Sequence, residues 1–229
     1  MIADSLHHLR RTLGRLGRTQ IVWLSLLAAM TGLGGLLLTL DGNRAPRLDG
    51  LALARPIIAS GPSTIDLVFD TRTPVESGRW DGIVIHHSGQ MLGSAAGIAR
   101  EHESRGLHGL GYHFVIGNGR GAGEGEVHVG YRWLDQLPGA HVAGPDADTY
   151  NRRHLGVCLI GDGDRRRFSD TQLARAAELV AVLAERLGLD ADDVRAHRDL
   201  AATSSPGRHF PEAAFREQVR SALVSRRAH

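Results

Sequence analysis

The sequence predicts an α/β domain with a central mixed β-sheet flanked by helices, preceded by an N-terminal transmembrane helix. Three observations carry this. From about residue 80 onward, short apolar runs of strand length alternate with longer amphipathic runs of helix length. Residues 20–40, QIVWLSLLAAMTGLGGLLLTL, run for 21 residues without a charge, and about 20 apolar residues span a ~30 Å hydrocarbon core. Between these, Pro46, Pro56, Pro62 and Pro74 interrupt residues 41–79, which read as a linker or arm.

In chain order, residues 1–19 carry Arg10, Arg11, Arg15 and Arg18 against one acid, Asp4. A basic flank stays in the cytoplasm and places the chain beyond the span on the outer side. The apolar core is longer than the ~7–15 residues of a cleaved leader, and no small-x-small site comes after it. An uncleaved, single-pass anchor is therefore expected. In the arm, Ile57-Ile58 and residues 65–69 are apolar enough to pack on the domain, which is expected to occupy residues 80–229.

Residues 83–86 read as a strand and residues 93–104 as a helix anchored by Ile98. Residues 112–116 form a strand that Gly117-Asn118-Gly119 turns, pairing as a hairpin with residues 126–131. Residues 155–160 are continuously apolar and suit the centre of the sheet. Ser169 with Gln172 three positions later is a capping box. It opens a helix with Leu173, Ala176, Val180, Leu183, Ala184 and Leu187 on one face, stopped by Gly188. Residues 194–197 form the last strand. Pro211 fits the first turn of a final helix whose apolar face is Phe215, Val219 and Leu223.

Composition narrows the function. Every one of the 27 basic residues is arginine, 25 acids balance them to a net charge of +2, and aromatics are 5%. A nucleic-acid binder would show a basic face with stacking aromatics. The single cysteine, Cys158, lies inside an apolar run and reads as a buried thiol. The chemistry-bearing residues are histidines. His86 and His197 each end a strand, and two such strands can meet at one edge of a sheet. A hydrolytic zinc site uses three protein ligands and keeps a fourth position for water. The loop after His197 can return a third ligand, and eight residues on stands Ser205, a weak donor beside thiolate, imidazole or carboxylate.

The stretches WDGIVIHHSG, GLGYHFVIGNG, PGAH, YN ahead of LGVCLIGD, FSDTQ before a helix, and HRDLAATSSPGRHFP succeed one another over residues 80–215. In this order they resemble the zinc-dependent N-acetylmuramoyl-L-alanine amidases, which share a fold with animal peptidoglycan recognition proteins and the amidase-type phage lysozyme. The resemblance implies His86 and His197 as zinc ligands and Ser205 at the third ligand position, where active members carry cysteine or aspartate. It implies Tyr112 at the attacked carbonyl or the metal-bound water, Thr203 as an oxyanion donor, and His141 and Asn151 near substrate. Of two outcomes, the first is the one expected and the second is its alternative. The first is a hydrolase that cleaves the amide between N-acetylmuramic acid and L-alanine with zinc-activated water. The second, because Ser205 replaces a ligand, is a non-catalytic peptidoglycan-binding module. Either would sit on the cytoplasmic (inner) membrane with its domain facing the periplasm or cell wall, with muropeptides and the membrane as partners and no nucleic acid.

Of the remaining histidines, His87 and His113 should point to the opposite face from His86 and Tyr112 and serve structure. His102, His108, His128 and His154 are expected on the surface or in loops. Asp199 is expected either to orient His197 or to pair with Arg198 or Arg208.

Overall fold

The computed structural model describes residues 50–53 and 64–228. The expected span at residues 20–40, its basic flank and Ile57-Ile58 lie outside them. Among the described residues no helix is long and apolar enough to cross a membrane.

Six strands form one sheet: β1 (Gly50–Leu53), β2 (Gly82–His87), β3 (Phe114–Ile116), β4 (Val127–Gly130), β5 (His154–Leu159) and β6 (Val194–Ala196). Their order is β1-β4-β3-β5-β2-β6. β5 runs parallel to β3 and β2, and β2 runs parallel to β6; β4 is antiparallel to both β3 and β1. The sheet is therefore mixed, and β5 and β2 lie in its interior. That position is why their sequences, HLGVCL and GIVIHH, are apolar almost throughout.

Side-chain alternation divides the sheet into two faces. Ile83, Ile85, Phe114, Ile116, Leu155, Val157 and Leu159 join one core with helices α4 (Asp170–Leu187) and α5 (Glu212–Arg227). Val115 and Cys158 join a smaller core under helix α1 (Ala95–Ser104). His86 is in register with Cys158, so it stands on this second face. Two short helices, α2 (Tyr131–Leu134) and α3 (Ala147–Arg153), complete the set of α-helices among the described residues.

Local signals act as expected at most ends. Ser94 caps α1 by accepting from the Gly97 amide. Ser169 caps α4 by accepting from the Gln172 amide, and Gly188 closes it at φ 72°. The capping box itself is incomplete. The Gln172 side chain turns inward and donates to the carbonyls of Ile116 and Ile160, 3.0 and 2.9 Å away. Two carbonyls at the carboxyl ends of β3 and β5 are stronger claimants than an exposed cap amide. Pro211 stands at the N-cap of α5 rather than inside its first turn. Phe215, Val219 and Leu223 are buried as the periodicity predicts.

The described part of the arm packs on the domain. Residues Thr64–Phe69 form a 3-10 turn whose Ile65 and Val68 are fully buried in the main core. The Trp133 indole N–H donates to the Val68 carbonyl, and Arg226 of α5 bonds both Asp66 and Glu185.

Candidate functional site

β2 and β6 are hydrogen-bonded neighbours, with Ile85 opposite Ala196. The next residue along the chain from each is His86 and His197, and their rings lie 4.2 Å apart by centroid. Tyr112, just ahead of β3, reaches the same place, with its ring 5.1 Å from that of His86. His141 enters from the loop before α3 and lies flat over Gly156 of β5. A Cβ at Gly156 would fall 2.6 Å from two carbons of the imidazole, so only glycine leaves room for the ring there.

The hydrogen bonds of this cluster fix its protons. The His154 carbonyl can only accept, so His141 donates to it through Nε2 at 3.1 Å. Burial drives the pKa of His141 down to about 3, with the bond to that carbonyl opposing, so the ring is neutral and its Nδ1 is an acceptor. The Nε2–H of His86 therefore donates to His141 Nδ1 across 3.0 Å. His86 is also held neutral, first by burial and then by the neighbouring imidazoles. This leaves its Nδ1 with a bare lone pair. His197 is lowered to about 4 by burial, then by His87. Its Nε2 is buried with no partner among the described residues.

Asn151 is the clamp that holds His141. Its Oδ1 accepts from the amides of His141 and Val142, and its Nδ2 donates to the Val142 carbonyl. The side chain is thus engaged with the loop rather than aimed outward. Tyr112 packs against the smaller core that holds Cys158; burial, then Cys158, raises its pKa well above the ordinary phenol value. Thr203 is exposed and its Oγ1 accepts from the Ser205 amide at 3.2 Å. Ser205 is buried, and its Oγ accepts from the His87 amide at 3.1 Å.

The description N-acetylmuramoyl-L-alanine amidase fits residues 76–208 of this chain as a family. The chain belongs to that family. Its relatives include the endolysin of Enterobacteria phage T3, 28% identical over 135 residues that make up 55% of this chain and 80% of the phage protein. The endolysin of Escherichia phage T7 is 27% identical over the same shares. Among solved structures, an endolysin N-acetylmuramoyl-L-alanine amidase from Clostridium intestinale matches with a TM-score of 0.48 and 24% identity, over 65% of this chain and 90% of that one. Drosophila peptidoglycan recognition protein SA matches with a TM-score of 0.47 and 26% identity, over 59% of this chain and 77% of its own.

Members of this amidase family are expected to hold zinc, and the donor set here can be tested against that. Two imidazoles are in place, and the proton pattern of His86 suits a ligand nitrogen. Ser205, at the third position that the resemblance implies, offers a neutral hydroxyl that already accepts a backbone N–H. Among the described residues no histidine, cysteine, aspartate or glutamate converges with His86 and His197 to complete a set. Cys158 neighbours His86, but burial raises its thiol pKa, so it stays protonated. The residues present do not fit a three-ligand hydrolytic zinc site.

One other group of ligand atoms does converge, from His87, Asp162 and Asp164. His87 Nδ1 accepts from the Gly163 amide at 2.9 Å, which places the ring proton on Nε2. Neither nitrogen then offers a free lone pair. Asp164 is bonded by the Ser204 hydroxyl and by the Arg208 amide. This cluster ties the loop at residues 161–167 to the loop carrying Ser205. There Gly207, at φ 96°, packs so close to Gly163 that a Cβ would fall 2.2 Å from its carbonyl carbon.

Of the other expectations, the one for His113 holds and others shift. His113 is structural, its Nδ1 accepting from the Gly156 amide and its Nε2 donating to the Leu137 carbonyl. His102 is buried, not on the surface, and accepts from the Gly111 amide one residue before Tyr112. It continues the α1 stripe of Ala95, Ile98 and Ala99, a periodicity that would have revealed it. Asp199 accepts from the Ala196 amide, capping its own turn, instead of orienting His197 or pairing with arginine. Arg198 pairs with Glu212.

Proposed function

We propose that this amidase-family domain binds peptidoglycan muropeptides at the carboxyl ends of β2 and β6 and does not hydrolyse them. The observation that carries the reading is Ser205. It stands where a third zinc ligand would be needed, and its Oγ is engaged by the His87 amide. A hydroxyl at that place gives the metal neither charge nor a strong donor. His86 Nδ1 and His197 Nε2 then serve as neutral hydrogen-bonding groups for an amide-bearing ligand, with the rings of His141 and Tyr112 beside them. The charge-free run at residues 20–40 would hold the domain at the membrane, on the side facing the wall polymer.

A second reading, zinc-dependent cleavage of the amide between N-acetylmuramic acid and L-alanine, is favoured by the free Nδ1 of His86 and the unpartnered Nε2 of His197. The relatives named endolysin agree with it. Metal analysis of the full-length chain after equilibration with zinc separates the two. The proposal expects well under one zinc per chain in the parent, about one in Ser205→Cys, and retention of both on insoluble peptidoglycan. One zinc per parent chain, lost in His86→Ala, would refute it in favour of the second reading.

A further inference from the structure

The carboxyl ends of β3 and β5 border a cavity of about 210 Å³ whose lining includes Arg120, Arg166, Arg167, Glu124, Asp162 and Gln172. It is smaller than the ~300–1,000 Å³ of a pocket for a whole small molecule, so it suits one terminal group of a longer ligand. Most arginines of the described residues are engaged. For example, Arg72, Arg153, Arg198 and Arg226 are in ion pairs, while Arg79 and Arg186 lie over aromatic rings. The guanidinium groups of Arg120, Arg166 and Arg167 have no hydrogen-bond, ion-pair or ring partner among the described residues. The two carboxylates of the cavity are already held. Ser169 donates its hydroxyl to Glu124, and Asp162 accepts from the Asp164 amide. Three guanidinium groups without a partner thus line the cavity beside two carboxylates that are hydrogen-bonded but still charged, so the lining is net positive by one charge.

The cavity adjoins the candidate site. Gly161, in its lining, bonds Ser88 through its amide and its carbonyl, and Gly163 bonds His87. A ligand lying along the carboxyl ends of β2 and β5, the usual ligand edge of a parallel sheet, would extend from the histidines into it.

We infer that Arg120, Arg166 and Arg167 form an anion subsite that takes a free carboxylate of the stem peptide of a bound muropeptide. Guanidinium is the donor suited to carboxylate. The inference rests on the proposed peptidoglycan-binding reading, since stem carboxylates are the anions such a ligand carries.

The test is calorimetric titration of the full-length chain with a muramyl tripeptide bearing free carboxylates and with its carboxamide counterpart. The parent should bind the carboxylate form at least about tenfold more tightly, the factor expected of one charge-assisted contact. Arg166→Gln/Arg167→Gln and Arg120→Gln should erase that preference while leaving the carboxamide form bound as before. Circular dichroism should show the variants folded, since all three positions are exposed. Equal binding of both forms by the parent, or a parent-like preference in the variants, would overturn the subsite alone. Failure of the parent to bind either form would overturn the peptidoglycan reading and the subsite with it. Arginine-dependent capture of anionic lipid vesicles, with muropeptide binding unaffected by the same variants, would also overturn it.

Discussion

Replacing Gly156 by alanine tests whether the sheet beneath His141 is built around that ring. The added Cβ would lie 2.6 Å from Cδ2 and Cγ of His141 and 3.0 Å from Nε2. The ring cannot swing away without loss. Its Nε2 holds the His154 carbonyl, its Nδ1 holds His86, and a Cβ at Gly139 would meet it at 2.3 Å from the loop side. Overpacking of this kind costs about 1–3 kcal/mol, and losing the His86–His141 hydrogen bond adds about 1 kcal/mol. Gly156→Ala should therefore lose about 2–4 kcal/mol, a large part of the ~5–15 kcal/mol that typically holds a domain together. Urea unfolding at constant m-value would measure it. His141→Ala in the same background supplies the control. Removing the ring opens the space the methyl needs, so the double variant should be more stable than the sum of the single losses, by about 1–3 kcal/mol. A Gly156→Ala protein within ~0.5 kcal/mol of the parent, or a cycle with no coupling, would refute the placement of His141 on the sheet.

Gln172→Ala should destabilise by about 1–3 kcal/mol in the same unfolding assay, because Ile160 loses the donor to its carbonyl while Ile116 keeps only the Ile160 amide; a neutral substitution would count against the buried bonds. Stability should also fall with acid. His86, His113, His141 and His197 all have folded pKa values below the ordinary value, burial being the main cause. Below about pH 6.5 the unfolded chain therefore binds more protons than the folded one. Each such histidine should remove about 1.4 kcal/mol per pH unit from there down to its folded pKa. The stabilisation is fully present above about pH 6.5, and a urea midpoint that stays constant from about pH 7 to about pH 5 would contradict it.

Much of the scaffold is legible because its strands carry apolar runs bounded by glycine and its last two helices keep a clean apolar face. That His86 and His197 meet can be read from two strands each ending in histidine, since strand ends share an edge when the strands pair. The details that escape are polar groups engaged by backbone. Gln172 reads as a cap because local sequence shows the nearby amide and not the two distant strand carbonyls. Asn151 looks equally suited to a ligand or a loop, and only the fold brings Val142 within reach of both ends of its amide. Asp199 shows the same pattern, captured by the amide of Ala196 three residues earlier. The proton pattern running from His154 through His141 to His86 needs three separate segments and has no sequence signature.

The central claim is recognition without cleavage, and a peptidoglycan digest tests it most directly. The full-length chain would be incubated with purified wall polymer, once with added zinc and once with a chelator, and the products read by mass spectrometry. Intact stem peptides in both arms, with the protein sedimenting with the polymer, are the expected result. Release of free peptides beginning at L-alanine, abolished by the chelator, would contradict it and show that Ser205 does not prevent hydrolysis.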